Sequence, residues 1–283
     1  MSLMPTRIAY LGPAGTYGEQ ATRALVDLEG LSEVEFLPCV GLRAVVERLA
    51  GGGAEAAVVP VENSVEGGVT AILDALWSHP ELSIRRALVL PIRHALLSSG
   101  SLQDVTEVLS HPQALAQCAG WMADQLPEAL QLPTSSTAEA ARMVAGSRFR
   151  AAIASRKAGE EHGLKELAYP VNDVAGNRTR FLMLQRGERQ MAGDVASLAF
   201  SLHRNAPGAL LEALACLAEQ GLNMSRIESR PSKRELGEYV FFVDVVLPRE
   251  RPQALDRLVS ALTPLCEHLA HFGAYPSSEL ISA

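Results

Sequence analysis

Asn177, Arg178, Thr179 and Arg180 stand at the mouth of an apolar run, Phe181 to Leu184, that reads as a buried strand. A plain turn needs none of these four side chains. They supply guanidiniums, which can hold an anion, and a hydroxyl, which can donate a hydrogen bond. Successive residues of a strand face opposite ways, so Thr179 and Arg180 cannot share a cleft once the strand has begun. One of Arg178 and Arg180 is therefore expected to be structural, and the sequence does not choose which.

Four other stretches repeat one arrangement, an apolar strand, then polar or glycine residues, then a helix. In "YLGPAGTYGEQA" Thr16 and Glu19 fit a capping box, and Ser136 and Glu139 repeat it in "TSSTAEAA". Asn63 and Glu66 have the same spacing in "PVENSVEGG", and "LSHPQALAQC" places Pro112 at a first helical position. Taken singly, each is a helix cap worth about 1 kcal/mol. Together they put several helix N-termini at the carboxyl ends of strands, where α/β sheets bind ligands. Free N–H groups and the helix dipole suit an anion with more than one carboxylate or phosphate. Neither GxxxxGK[ST] nor GxGxxG is present, which argues against a nucleotide. Glu62 has two open readings, a carboxylate satisfied by backbone N–H groups or a substrate contact. His111 and Gln113 either cap their helix or face the ligand. No G-x-S-x-G elbow supports a serine nucleophile, and Trp77 and Trp121 read as core.

The elements that must position these residues follow from the chain as a whole. Its 283 residues point to about two domains, and 48% hydrophobic with 20% charged residues is an ordinary globular composition. A net charge of −7 without a basic block argues against nucleic acid and anionic membranes. The four cysteines, Cys39, Cys118, Cys216 and Cys266, are dispersed without CxxC, so no zinc and no disulfides are expected. No membrane-length apolar run and no signal segment are seen, and a cytoplasmic protein is expected.

To about residue 165 short β-branched runs alternate with amphipathic segments, which favours a largely parallel sheet covered by helices. A long strand around Ile84 to Ser98 breaks the rhythm and could carry the chain into a second lobe. After Arg186 "GERQMAGD" reads as a linker. Beyond it the predicted order is strand Ala196–His203, helix Pro207–Glu219, strand Asn223–Ser229, strand Tyr239–Leu247, helix Pro252–Leu262 and strand His268–Tyr275. This is the βαββαβ, ferredoxin-like plan.

The five motifs "YLGPAGTYGEQA", "PVENSVEGG", "SHPQALAQC", "STAEAA" and "NRTRF", in this order, resemble those of prephenate dehydratase. "NAPGALLEAL" and "GLNMSRIESRPSK" are similar to the phenylalanine-binding signatures of its ACT regulatory domain. The resemblance covers nearly the whole chain. It implies an α/β catalytic domain of two lobes, like the type II periplasmic binding proteins, over residues 4–187, and an α+β ACT domain over 195–275. It also implies conversion of prephenate to phenylpyruvate, water and carbon dioxide without metal or cofactor. Thr179 matches the catalytic threonine, with Glu62, Asn63 and Gln113 beside it. Thr16, Ser64, Ser136, Thr137, Arg178, Arg180 and Phe181 are the expected substrate contacts. Gly18 departs from the family, which usually carries serine or threonine there.

In the C-terminal domain the resemblance implies a phenylalanine sensor at an interface between paired ACT domains, in a homodimer or homotetramer. Gly208, Ala209 and Leu210 open a helix whose N–H groups could take the effector's carboxylate, and Asn223 could accept from its ammonium group. Glu228, Ser229 and Arg230 are expected to join the partner. Arogenate dehydratase, the same chemistry on the amino analogue, and a non-catalytic two-lobed sensor are the competing readings.

Overall fold

A computed structural model describes residues 5–251 and 253–280. Met4 and Pro252, placed above at a domain start and a helix start, lie outside the described residues. Three sheets are present among them. In the first lobe the spatial order is Ser277–Glu279, Leu82–Pro91, Arg178–Arg186, Ala56–Asn63, Thr6–Leu11, Val34–Cys39, with Gly67–Gly68 paired beside Ala56–Asn63. In the second lobe it is Lys165–Ala168, Ala95–Ser98, Arg150–Ala154, Glu107–Ser110, Leu130–Pro133.

The expectation of largely parallel sheets needs correction. Three strands at one end of each lobe pair in parallel, but Arg178–Arg186 runs antiparallel to both its neighbours, and Ala95–Ser98 does likewise. These strands are where the chain crosses between lobes, and a chain that goes out and returns must reverse direction. The apolar run from Ile84 does carry the chain across: it ends as Leu82–Pro91 in one sheet and resumes as Ala95–Ser98 in the other. The return crossing lies between Ala168 and Arg178. The two-lobed plan is thus present.

Helices form where apolar residues recur at helical spacing. Tyr17–Leu28 buries Ala21, Leu25 and Val26 against the first sheet, and Leu42–Ala50 buries Val45, Val46 and Leu49 on its other side. Asn63 was expected to cap a helix. Its side chain instead closes a turn, and the next helix, Thr70–Ser78, begins later.

The C-terminal domain has the βαββαβ order, as Val195–Leu202, Ala209–Glu219, Asn223–Pro231, Tyr239–Val246, Ala254–Leu262 and Cys266–Tyr275. Both faces of its sheet are covered. Leu198, Phe200, Val243 and Val245 pack beneath the two helices. Ala199, Val240, Phe242, Phe272 and Tyr275 join the first lobe's core beside Val61, Leu76 and Leu182. The supposed linker is strapped down as well: Ala274 N–H donates to the Gln190 carbonyl at 2.7 Å, and a Cβ on Gly193 would sit 2.2 Å from the Tyr275 backbone. After Tyr275 the chain returns to the catalytic sheet, where Ser277–Glu279 covers the edge of Leu82–Pro91. No helix among the described residues is long and apolar enough to cross a membrane. The four cysteines are unpaired, and burial pushes the Cys118 thiol up to about 12.

Candidate active site

A cavity of about 360 Å³ lies between the lobes. Of the residues singled out from the sequence, Thr16, Gly18, Asn63, His111, Gln113, Ser136, Thr137, Thr179 and Phe181 line it, and His111 also caps its helix by accepting from Gln113 N–H at 3.3 Å. Glu62, Ser64, Arg178 and Arg180 do not.

The strand pleat explains the division. Thr179 lies directly opposite Asn63, and Arg180 opposite Glu62, so the first pair shares one face and the second pair the other. Arg178 also turns from the cavity and pairs with Glu279 at 2.7 Å. Both arginines are therefore structural, where one had been expected to hold substrate. Arg180 reaches Glu62 at 2.9 Å and Asp244 of the C-terminal domain at 2.5 Å. Glu62 is thereby corrected from a catalytic candidate to an ion-pair partner behind the site. Ser64 is corrected too, since its hydroxyl accepts the Arg178 N–H at 2.9 Å and no helix starts there. The register slips by one residue at Val61, a β-bulge that returns Pro60 to the cavity side opposite Phe181.

Asn63 is oriented by backbone. Its Oδ1 accepts from the N–H groups of Val65 and Glu66 at 2.9 and 3.0 Å, so its Nδ2 faces the other way. That nitrogen donates to Thr179 Oγ1 at 2.9 Å. The Thr179 hydroxyl proton has no acceptor among the described residues, and the buried side chain lies on the cavity wall.

Two helix N-termini reach the cavity from opposite lobes. Thr16 caps Tyr17–Leu28 by accepting from Glu19 N–H, and Ser136 caps Thr137–Val144 by accepting from Glu139 N–H at 3.0 Å. The N–H groups of Tyr17 and Gly18, and of Thr137 and Ala138, have no acceptor among the described residues. The Thr16 hydroxyl itself lies 3.1 Å from the Leu11 carbonyl and 3.0 Å from that of Pro13, so it is engaged by the fold and gives no free donor. Gly18 fits the same crowding: a Cβ there would be 2.9 Å from the Leu11 carbonyl oxygen. Among the described residues, no lysine, arginine, aspartate or glutamate lines the cavity. The expected side-chain cation is absent from its wall, and positive potential comes from the helix ends.

The sequence reading missed Tyr17, His94 and Gln117, which also line the cavity, and named Asn177 beside it without giving it a role. His94 sits in the apolar stretch "IRHALL", and a histidine so placed was the available signal. Burial holds its imidazole down, from the usual 6.5 to about 4, against the lift from its contact with Gln117.

The effector set is not gathered within one chain. Ala209 and Leu210, at the helix start after left-handed Gly208, line a cavity of about 240 Å³ with Arg204, Arg234 and Tyr239. Asn223 lies at the opposite end of the sheet, since its strand pairs Asn223 with Val246 and Pro231 with Tyr239. Arg230 meets Asp74 at 3.1 Å, and Glu228 lies against Gly68 of the catalytic domain. Alternation turns Ser229 to the opposite, exposed face of that edge strand. The expected partner-facing run Glu228 to Arg230 is therefore split, with its charged members bound to their own chain.

Comparison with known proteins matches residues 8–189 to the prephenate dehydratase family and residues 196–262 to the ACT domain. The prephenate dehydratase of Amycolatopsis methanolica is 37% identical over 98% of this chain and 91% of its own. A solved prephenate dehydratase from Arthrobacter aurescens, in complex with L-Phe, is 35% identical, with a TM-score of 0.84 over 96% of this chain and 90% of that one. GqqA, described as a quorum-quenching acylase, is 30% identical, with a TM-score of 0.79 over 96% of this chain and 98% of that one.

Proposed function

The chain belongs to the prephenate dehydratase family of carbon–oxygen lyases, followed by an ACT domain, and from that membership we propose that it aromatises prephenate in the inter-lobe cavity, with Thr179 assisting the departing oxygen. The observation that carries this reading is the Asn63–Thr179 hydrogen bond, which occupies the hydroxyl as an acceptor on the cavity wall and leaves its proton without an acceptor among the described residues.

The bond from the ring to its carboxylate breaks, and its electron pair passes through the ring to expel the hydroxyl on the far carbon. One proton is taken up, so the dianion gives phenylpyruvate, carbon dioxide and water. Gain of aromaticity drives the step. Thr179 supplies a hydrogen bond that strengthens as negative charge grows on the leaving oxygen, and such positioned acids contribute about 10²–10⁴-fold. The two helix termini, one per lobe, offer N–H groups for the two carboxylates and favour approach of the lobes around them. A wall without a cationic side chain suits carboxylate loss, since tight ground-state pairing would slow it.

No acidic side chain among the described residues is on the wall, Glu66 being held behind Gln117, and this favours prephenate over arogenate, whose ammonium group would lack a direct counter-ion. Acyl transfer would need a hydroxyl paired with a base. The Thr16, Ser136 and Thr179 hydroxyls bond to backbone groups or to Asn63, and none to a histidine. Thr179→Val, which keeps shape and removes the hydroxyl, is expected to lower kcat for phenylpyruvate formation by about 10²-fold or more, while Thr179→Ser keeps most of it. Turnover of Thr179→Val within a few-fold of the parent defeats the reading.

We infer further that L-phenylalanine binds the ACT domain and regulates turnover. Gly208 to Leu210 and Asn223 lie apart in one chain, so pairing of two ACT domains is the arrangement that unites them. Titration calorimetry with L-phenylalanine, with sizing of the assembly, tests this; no heat and no effect on turnover would remove it.

A further inference from the structure

Thr179 is held by Asn63, Asn63 is held in turn by Asn177 in the return crossing, and Asn177 is held by Gln117 of the second lobe. Resting on the reading of Thr179 above, we propose that Gln117 and Asn177 are positioning residues for the dehydration, forming with His94 a single-polarity line of hydrogen bonds that aims the Thr179 hydroxyl. The Asn63 Nδ2 group has two protons and three acceptors within reach: Asn177 Oδ1 and Thr179 Oγ1, both at 2.9 Å, and the Arg178 carbonyl at 3.2 Å. Asn177 takes one proton and thereby leaves the other for Thr179. Without Asn177 held in place, the amide can turn toward the carbonyl and release the hydroxyl.

The direction of every bond in the line follows from its anchored end. Backbone groups fix Asn63, so Asn177 must present Oδ1 to it and Nδ2 to Gln117. The latter contact, to Gln117 Oε1, is 2.9 Å. Gln117 Oε1 is therefore an acceptor, and its 3.2 Å contact with His94 Nε2 requires the imidazole proton on Nε2. That leaves His94 Nδ1 bare before the Tyr17 hydroxyl at 3.2 Å, whose proton is shared with the Arg93 carbonyl at 2.7 Å.

The Tyr17 end alone would favour the opposite tautomer. Tyr17 could then donate wholly to Arg93 and accept from an Nδ1 proton. That choice sets a bare Nε2 against Gln117 Oε1; turning Gln117 to suit it sets two amide NH₂ groups against each other at Asn177. Three backbone contacts at Asn63 oppose one at Tyr17, so the Nε2–H form prevails. Gln117 caps the short second-lobe helix Pro112–Ala116, while His94 and Asn177 lie in the two crossings. The line thus makes the aim of Thr179 depend on where the second lobe sits.

The test reads the His94 tautomer and turnover together, in the full chain labelled with ¹⁵N at histidine. The resonance missing from His94→Gln identifies the ring, and at pH 7 the imidazole is neutral. The parent is expected to show Nε2–H. Gln117→Met removes the acceptor: His94 moves its proton to Nδ1, and kcat falls about tenfold with KM little changed, a fraction of what a positioned acid contributes. Gln117→Glu keeps an acceptor toward both Asn177 and His94, so it holds the Nε2 proton and recovers most of the lost kcat, while its carboxylate, set against Glu66 and facing a dianionic substrate, raises KM. An Nδ1–H parent, or parental kcat in Gln117→Met while Thr179→Val is inactive, overturns the line. Full turnover in Thr179→Val would instead remove the premise, and the tautomer result would still report the polarity.

Discussion

Replacing Asp244 with asparagine should destabilise this protein more than any change at its surface. Asp244 is 2% exposed, and its carboxylate accepts from Arg180 at 2.5 Å, Arg226 at 2.9 Å and the Ser197 hydroxyl at 2.5 Å. Burial alone would raise its pKa, but Arg226 and Arg180 outweigh that and hold it below the usual aspartate range. The amide removes the charge and points an NH₂ group at guanidiniums. Glu62 and Glu228 remain as partial counter-ions at 2.9 and 3.5 Å. Loss of one partner from a buried ion pair costs about 3–5 kcal/mol. At about 2–4 °C per kcal/mol for a chain of this size, Tm should fall by roughly 10 °C. Because the folded pKa is lowered, the stabilisation is complete above the unfolded value near 4 and is lost as pH falls through the folded one. The gap between parent and Asp244→Asn should therefore be constant from pH 7 to 5 and shrink only below about pH 4. An Asp244→Asn/Arg180→Met double variant should lose less than the two single changes together, with coupling of about 0.5–3 kcal/mol. Urea and thermal unfolding decide it. A loss under about 1 kcal/mol at pH 7, or a gap already closing at pH 6, would refute the buried-network argument.

Glu62→Gln should alter kcat by less than about threefold, since its pair lies behind the sheet and is partly exposed, whereas Asn63→Ala should lower kcat at least about tenfold by freeing Thr179; steady-state assays showing the reverse order would contradict the facing of the two strands. His94 is depressed from 6.5 to about 4, so its neutral form stabilises the fold fully above pH 6.5, and that contribution, about 3 kcal/mol, is lost as pH falls toward 4. His94→Gln should flatten the stability curve between those limits, and an unchanged slope in urea titrations would count against it. Gly18→Ser should lower stability by about 1–3 kcal/mol without raising turnover, because its Cβ meets the Leu11 carbonyl at 2.9 Å; a more stable or faster variant would show that the hydroxyl is accommodated.

Local signals were legible where they depend on a few neighbouring residues. Thr16 and Ser136 cap helices as their spacing implies, and the βαββαβ domain follows the predicted order. Failures arose where a distant partner decided the outcome. Asn63 has the spacing of a cap, but Thr179 and Asn177, more than a hundred residues away, hold its amide while Val65 and Glu66 close a turn. The bulge at Val61 lies in a smooth apolar run, "AAVVPVEN", and leaves no mark there. His94 and Gln117 belong to different elements and become neighbours only once the second lobe has folded against the first crossing.

Arg178 and Arg180 show how far residue type can mislead. Guanidiniums flanking a hydroxyl suggest an anion site, and chemistry alone favours that reading. Alternation permits either Thr179 or its two neighbours to face the ligand, not all three. In the proposed reading the anions are then left to helix termini, which carry positive potential without a mobile counter-charge. Arg180 is thereby available to the opposite face, where it joins Glu62 to Asp244. One strand thus carries the proposed acid on one side and the ACT domain's buried anchor on the other, one residue apart. A shift of the ACT sheet that moved Asp244 would move Arg180 and, through the same backbone, the hydroxyl beside it.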